Sequence, residues 1–289
     1  MRIDIIEVKP KTKKKKIILI ALLGIATIII FSILGIFCAK KYKQNIIEGN
    51  KKAEVSMQKN GKNNESNLQE TYSEYAKEKM NSIYSKDTKI AYLTFDDGPS
   101  QAITPLILDI LKEENIKATF FVLGSNVKKN PDIVKRAYQE GHYIANHGYS
   151  HSYKKIYKNA KAVLEEYNKT EKQIQKAIDN ENYSSSLFRF PGGYEGGKYQ
   201  DIKIEAGKIL NENNIFYLDW NVLTGDAQGA NTKEKILKNI KKYTKDKGNI
   251  VVLMHDSSSK ILTYETLKKV IKYLRDEGYT FQNFYEIIK

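Results

Sequence analysis

The sequence predicts an α/β domain built on a parallel sheet over residues 88–289. Short apolar runs alternate with amphipathic stretches in about seven βα-type units, the pattern of a sheet covered by helices. Glu114-Asn115, Glu140-Gly141 and Glu277-Gly278 repeat one helix-stop signature, with Asn or Gly in the left-handed position. Polar residues suited to chemistry gather at or just beyond the predicted strand ends, where sites form in such folds. The pattern leaves an open doubly wound sheet and a barrel both available. No Gly-x-Gly-x-x-Gly or phosphate loop follows the first strand, which lowers the nucleotide-binding option.

The elements are predicted in order. Ile90–Phe95 (IAYLTF) is the first strand, followed by a helix from Ile103 to Glu114. Ala118–Val122 is the second strand, and Asn130-Pro131 opens a helix with a cap residue and a first-turn proline. Tyr143–Asn146 follows as a strand, then a long helix over Ala160–Ile178 and a strand at Leu187–Phe190. A helix near Asp201–Asn211 leads to one strand from Ile215 to about Leu223. Thr232 starts a further helix, Ile250–Met254 is strand, Glu265–Glu277 is helix, and Tyr279–Phe281 is the last strand.

The amino-terminal third reads differently. Ile17 to Ala39 is a run of 23 residues without a charge. As a helix it would reach roughly 34 Å, enough to cross a hydrocarbon core of about 30 Å. Lys11 and Lys13–Lys16 precede it, and Lys40, Lys41 and Lys43 follow. The asymmetry favours a short inside terminus and everything after residue 40 outside. The run exceeds a signal-peptide core and ends without a small-x-small site, so an uncleaved anchor is expected. The expected organisation is a cytoplasmic basic tail (1–16), a transmembrane helix (17–39), a linker or stalk (40–87) and the α/β domain (88–289). Residues 40–87, rich in Lys, Asn, Glu and Ser, would reach roughly 35–40 Å as a flexible coil. Within them, Leu68, Tyr72, Tyr75, Ala76 and Ile83 approximate a helical stripe, compatible with a helix on the domain or with a stalk.

Composition narrows the function. The chain of 289 residues carries 48 basic and 34 acidic side chains, net +14. Residues 1–87 hold 17 basic and 9 acidic residues, and residues 88–289 hold 31 and 25. The surplus therefore concentrates beside the predicted span, and no nucleic-acid partner is expected. One cysteine, Cys38, excludes an intramolecular disulfide framework and any Cys-rich zinc module.

The first strand ends in Thr94-Phe95-Asp96-Asp97-Gly98-Pro99-Ser100. Adjacent carboxylates repel each other unless a cation or an arginine holds them. The third strand ends in Asn146-His147-Gly148-Tyr149-Ser150-His151, with two of the chain's four histidines at i and i+4. Two neutral imidazoles and a carboxylate form a three-ligand set with a position left for water, the arrangement of catalytic zinc. His142, after Gly141 at a strand entrance, reads as structural. Further on stand Arg189-Phe190-Pro191-Gly192-Gly193, Asp219-Trp220, Gly225-Asp226 and Leu253-Met254-His255-Asp256. Taken singly, these are weak signals.

In this order the series resembles the polysaccharide deacetylases of the NodB-homology type, carbohydrate esterase family 4. TFDDGPS matches the first motif, HGYSH the His-x-x-x-His motif, RFPGG the third and LMH the fifth, over roughly residues 88–289. The resemblance implies a distorted (β/α) barrel of about seven strands. The fourth motif, an Asp-Trp pair in the family, has two candidates. Asp219-Trp220 has the letters but falls inside the predicted strand, whereas Asp226 stands beyond its end and is preferred. Gly148 stands where Ser or Thr is usual, and Gly192 where an aromatic is frequent.

The resemblance also implies roles. Asp97, His147 and His151 would bind a divalent metal, zinc first, with Co2+, Mn2+ or Ni2+ as alternatives. Asp96 would be the base, tuned by Arg189, and His255 the acid, oriented by Asp226 or else Asp219. The Gly192 N–H would help hold an oxyanion, and Leu253 with Trp220 would wall a pocket for the acetyl methyl group. The expected activity is de-N-acetylation of a surface polysaccharide, with peptidoglycan N-acetylglucosamine as first substrate. O-acetyl-xylan, chitin oligomers and poly-N-acetylglucosamine use the same machinery. An inert, membrane-tethered glycan-binding protein is the alternative of another class.

Overall fold

The structure, a computed structural model, describes residues 74–288. The predicted tail, the predicted span and residues 40–73 of the predicted linker lie outside the described residues. No helix among the described residues is long and apolar enough to cross a membrane.

Among the described residues, eight strands form one parallel sheet: β1 (Ile90–Asp96), β2 (Thr119–Val122), β3 (Tyr143–Asn146), β4 (Leu187–Phe188), β5 (Phe216–Tyr217), β6 (Val222–Leu223), β7 (Ile250–His255) and β8 (Thr280–Gln282). Seven run in the order β5-β4-β3-β2-β1-β7-β6. β1 is central. Its residues Ala91–Asp96 pair with β7, while its other edge is shared between β8, against Ile90–Tyr92, and β2, against Thr94–Asp96. The ring stays open between β5 and β6, so this is the distorted barrel that the resemblance implies.

Period-two alternation decides which side chains enter the ring. On β1, Ala91, Leu93 and Phe95 join the large apolar layer under the helices. Tyr92 joins a second layer inside the ring, with Phe121, Tyr143, Ala145, Leu187 and Val251. Thr94 and Asp96 continue that inward face upward, as Leu253 and His255 do on β7. Both strands are buried on both faces, as strands of helix-covered parallel sheets usually are. Each fully buried Leu, Ile or Phe contributes about 1.5–3 kcal/mol of transfer free energy.

The helices follow their predicted signals except at Asn130, whose side chain makes no cap bond to the helix Pro131–Gln139 and instead donates to the carbonyls of Pro99 (3.2 Å) and Asn126 (3.3 Å). Asn115, Gly141 and Gly278 all take positive φ (51°, 84° and 85°), as the stop signature requires. The helix Ala160–Ile178 is capped by Asn159, whose side chain accepts from the Ala162 N–H at 2.9 Å. Thr232 caps Lys233–Thr244 in the same way. Short helices at Gly124–Lys129 and Tyr153–Ile156 have no counterpart in the sequence reading. Neither offers enough residues for a helical period to show.

Two expectations are corrected. The predicted strand Leu187–Phe190 is shorter, at Leu187–Phe188. The single strand predicted over Ile215–Leu223 is two, Phe216–Tyr217 and Val222–Leu223, separated by residues 218–221. Those four residues cross the opening of the ring. Side chains supplement sparse backbone pairing there: Asn221 accepts from the Val251 N–H (2.8 Å) and donates to the Asn249 carbonyl (3.0 Å). Arg189 donates to the carbonyls of Leu218 (3.1 Å) and Asp219 (3.2 Å).

Residues 74–81 are helical, and Ile83 is buried in the inner apolar layer with Tyr92 and Phe284. The Ser85 carbonyl accepts from the Asn249 N–H at 2.8 Å. Ordered packing thus begins before residue 88.

Candidate metal and acid–base site

β1, β3, β4 and β7 end at the same rim of the ring, and each delivers a candidate residue there. Asp96 ends β1 and lies in register beside His255, which ends β7. His147 follows β3 and Arg189 follows β4.

Asp97, His147 and His151 come together, with one ligand-type atom from each within 4.8 Å of the others. Asp97 Oδ1 lies 3.6 Å from His147 Nε2 and 3.4 Å from His151 Nε2. Donors about 2.1 Å from a tetrahedral ion stand roughly 3.4 Å apart, so the set has the right span. Asp97 Oδ1 is buried without a hydrogen-bond partner, an orphan that a cation would satisfy. Burial pushes the His147 pKa down to about 3, which keeps the imidazole neutral. Its Nδ1 is 2.8 Å from the Arg189 carbonyl, so Nδ1 carries the hydrogen and Nε2 is left with its lone pair toward Asp97. These residues fit a divalent metal. Asp97 and His151 hold positive φ (74° and 52°), strain of about 1–3 kcal/mol each of the kind that clusters at functional sites.

Asp96 is buried, and Arg189 Nη1 donates to its Oδ1 at 2.8 Å. Its Oδ2 is 3.8 Å from His147 Nε2, on the metal-facing side. Burial raises the Asp96 pKa above the usual carboxylate value, and the positive charge of Arg189 opposes that rise without cancelling it. Arg189 also donates to Thr94 Oγ1 at 2.8 Å, and its guanidinium lies 4.0 Å from the Phe121 ring centroid. One residue therefore fixes the carboxylate by its side chain and the His147 tautomer by its carbonyl.

His255 Nδ1 is 2.9 Å from Asp226 Oδ1, while Asp226 Oδ2 accepts from the His255 N–H (2.9 Å) and the Thr263 hydroxyl (2.7 Å). Asp219 is engaged elsewhere, accepting from the Tyr194 N–H at 2.9 Å. Of the two aspartates, Asp226 is the one against His255. Burial disfavours charge on both partners, but their mutual hydrogen bond and opposite charges outweigh it. The His255 pKa is raised and the Asp226 pKa lowered.

Leu253 is buried on the inner face of β7. Trp220 stands in the segment that crosses the ring opening, its ring centroid 5.7 Å from the Arg189 guanidinium. Gly192 is exposed with φ 79°, and its N–H donates to no backbone carbonyl among the described residues. Gly148 also has positive φ (79°), and a Cβ there would lie 2.8 Å from Ile156 Cδ1. A Ser or Thr would therefore clash where Ile156 packs. His142 is structural, its Nδ1 accepting from the Ala118 N–H at 3.0 Å.

Three positions escaped the sequence reading. Glu166 does the holding that a hydroxyl at 148 cannot: its Oε2 accepts from the N–H groups of Tyr149 and Ser150, both at 2.8 Å, clamping the loop between the two histidines. Glu166→Ala is expected to weaken metal binding 10- to 100-fold, read by competition with a chromophoric chelator. Asp256 is buried beside Gly98, Thr104 donates to its Oδ2 at 2.6 Å, and burial pushes its pKa up to about 7. It braces the turn that carries Asp97. Tyr153 stands beside His151, ring centroids 5.7 Å apart. Glu166 and Tyr153 belong to none of the sequence motifs, and Asp256 stands after His255 with no role assigned to it.

The polysaccharide deacetylase family model matches residues 84–209. A Bacillus cereus peptidoglycan-N-acetylglucosamine deacetylase is 35% identical over 231 residues, covering 76% of this chain and 80% of its own length. A Streptococcus mutans CE4 esterase superposes with a TM-score of 0.65 at 32% identity, over 72% of this chain and 90% of that one. The catalytic domain of a Eubacterium rectale peptidoglycan N-acetylglucosamine deacetylase gives 0.62 at 30%, over 68% and 88%. Sequence motifs, strand order and relatives agree, and the chain belongs to the polysaccharide deacetylases of carbohydrate esterase family 4.

Proposed function

We propose that the chain is a metal-dependent hydrolase that removes N-acetyl groups from a cell-surface polysaccharide, peptidoglycan N-acetylglucosamine first, while tethered to the membrane with its catalytic domain outside. The observation that carries the catalytic reading is the meeting, at one rim, of a three-donor cluster, a buried Asp–Arg pair and a buried His–Asp pair. The relatives named above support the substrate. The predicted span at residues 17–39 supports the tether, and protease added to intact cells should release the domain. A domain protected until the cells are lysed would contradict the orientation.

Hydrolysis of an acetamide needs an activated water, a stabilised oxyanion and a proton for the departing amine. Asp97 and the Nε2 atoms of His147 and His151 would hold the cation, zinc first, with Co2+, Mn2+ or Ni2+ as alternatives. When bound, it would supply Lewis-acid polarisation of the carbonyl and acidify water. Asp96 takes the proton from the attacking water, and Arg189 keeps that carboxylate fixed and aimed. The Gly192 N–H donates to the developing oxyanion. Leu253 and Trp220 enclose the acetyl methyl group, which excludes bulkier acyl groups. His255 gives its proton to the leaving nitrogen as the C–N bond breaks, and Asp226 keeps the imidazole charged until then.

The acid–base pair predicts a bell-shaped pH–rate profile. Activity falls as pH drops and Asp96 is protonated, and falls as pH rises and His255 loses its proton. Asp226→Asn removes the partner that raises the His255 pKa, so the alkaline limb of kcat/KM should move to lower pH, and the acid limb should move down less, because the Asp226 charge is a smaller contributor to the raised Asp96 pKa. An unmoved alkaline limb would reject His255 as the acid.

Acetate release by the purified, metal-loaded protein from peptidoglycan, chitin oligomers and acetyl-xylan tests the substrate. Turnover of the N-acetylated glycans, peptidoglycan fastest, is expected. Turnover of acetyl-xylan alone would make the protein an esterase, and no turnover of any would favour the inert glycan-binding reading.

A further inference from the structure

Position 192 carries no side chain, and another residue fills the space. An ideal Cβ on Gly192 would overlap the Tyr153 hydroxyl oxygen, and the same atom would meet Tyr153 Cζ at 3.1 Å. Tyr153 is 40% exposed, among the most exposed large apolar side chains of the described residues. It is nevertheless held tightly. Its ring meets those of Tyr157 at 5.6 Å and Tyr199 at 6.2 Å, both edge-on, and that of His151 at 5.7 Å.

The backing is a built unit. Tyr157 is buried, and its hydroxyl donates to the Pro191 carbonyl at 2.7 Å. Lys203, also buried, donates to the Gly193 carbonyl at 2.6 Å, with its ammonium 5.4 Å from the Tyr157 ring centroid. The loop that carries Gly192 and the aromatic cluster that carries Tyr153 are thus bolted together beside the metal ligands.

We infer that Tyr153 is the stacking platform for a pyranose ring of the glycan next to the acetamide being cleaved, replacing a side chain at 192. A pyranose has an apolar C–H face and a rim of hydroxyls. A rigid tyrosine with one open face and a free phenol matches both features, at small cost in conformational entropy. The inference rests on the deacetylase reading, and it adds a specificity determinant that lies outside the quoted motifs.

The test uses the full chain and two readouts. The first is the dissociation constant of N-acetylchitotetraose for metal-depleted protein, by titration calorimetry. The second is the split between kcat and KM on the same oligomer after zinc is restored. Tyr153→Ala and Tyr153→Leu should each raise the dissociation constant and KM about tenfold, with kcat falling less than about threefold. Tyr153→Phe, which keeps the flat face, should recover most of the loss. Binding and KM within about twofold of the unaltered protein in the Ala and Leu variants would overturn the inference. So would a loss of kcat and bound zinc in those variants with unchanged glycan affinity, which would make Tyr153 a prop for His151. Failure of the unaltered metal-loaded protein to release acetate would instead count against the deacetylase reading, because the calorimetric result stands without turnover.

Discussion

Asp96→Asn is expected to lower kcat/KM for N-acetylated glycan about a thousand-fold while the protein stays folded. The substitution keeps the shape and an oxygen able to accept from Arg189 Nη1, now 2.8 Å from Asp96 Oδ1. It removes the negative charge that lies against that guanidinium and 3.8 Å from His147 Nε2. A water bound near the metal ligands would lose the carboxylate that Arg189 holds beside it. Steady-state acetate release measures the loss, and circular dichroism checks the fold. Activity within about tenfold of the unaltered protein would show that Asp96 is not the base.

Arg189→Ala should have the largest effect on stability. Arg189 is fully buried and donates to Thr94 Oγ1, Asp96 Oδ1 and the carbonyls of Leu218 and Asp219. Its removal leaves a buried carboxylate without its counter-charge and two carbonyls without a donor at the opening of the ring. Breaking such a pair typically costs about 3–5 kcal/mol. For a domain of this size that corresponds to a fall in Tm of roughly 10 °C. Arg189→Lys keeps a charge but cannot reach four acceptors from one point, so it should recover stability in part and activity hardly at all. Thermal unfolding followed by circular dichroism reads both variants. A Tm within about 2 °C of the original in Arg189→Ala would mean that the buried network contributes little.

The central strands and the site were legible because their signals are local. β1 and β7 are continuous apolar runs, and each ends in its own motif, so the sequence alone places Asp96, Asp97 and His255 at strand ends. The far side of the ring was not legible. β4, β5 and β6 contribute two residues each, too few for a period of two to show, and β5 and β6 fused into one predicted strand. That fusion is also why Asp219 and Asp226 competed for His255. Only the break at residues 218–221 shows that Asp219 turns to the Tyr194 N–H. Glu166 and Tyr153 act across a loop or through a cluster of rings, and on a helix each looks like any solvated residue. The predicted span at residues 17–39 lies outside the described residues and rests on sequence alone.

Metal titration tests the account most directly. Protein stripped with chelator and dialysed should release no acetate from chitin oligomers. Added zinc should restore activity with a break at one equivalent, and His147→Ala should bind no zinc at that stoichiometry. Full activity in the stripped protein, or one-equivalent zinc binding that survives the loss of His147, would contradict the assignment of Asp97, His147 and His151 as the catalytic metal ligands.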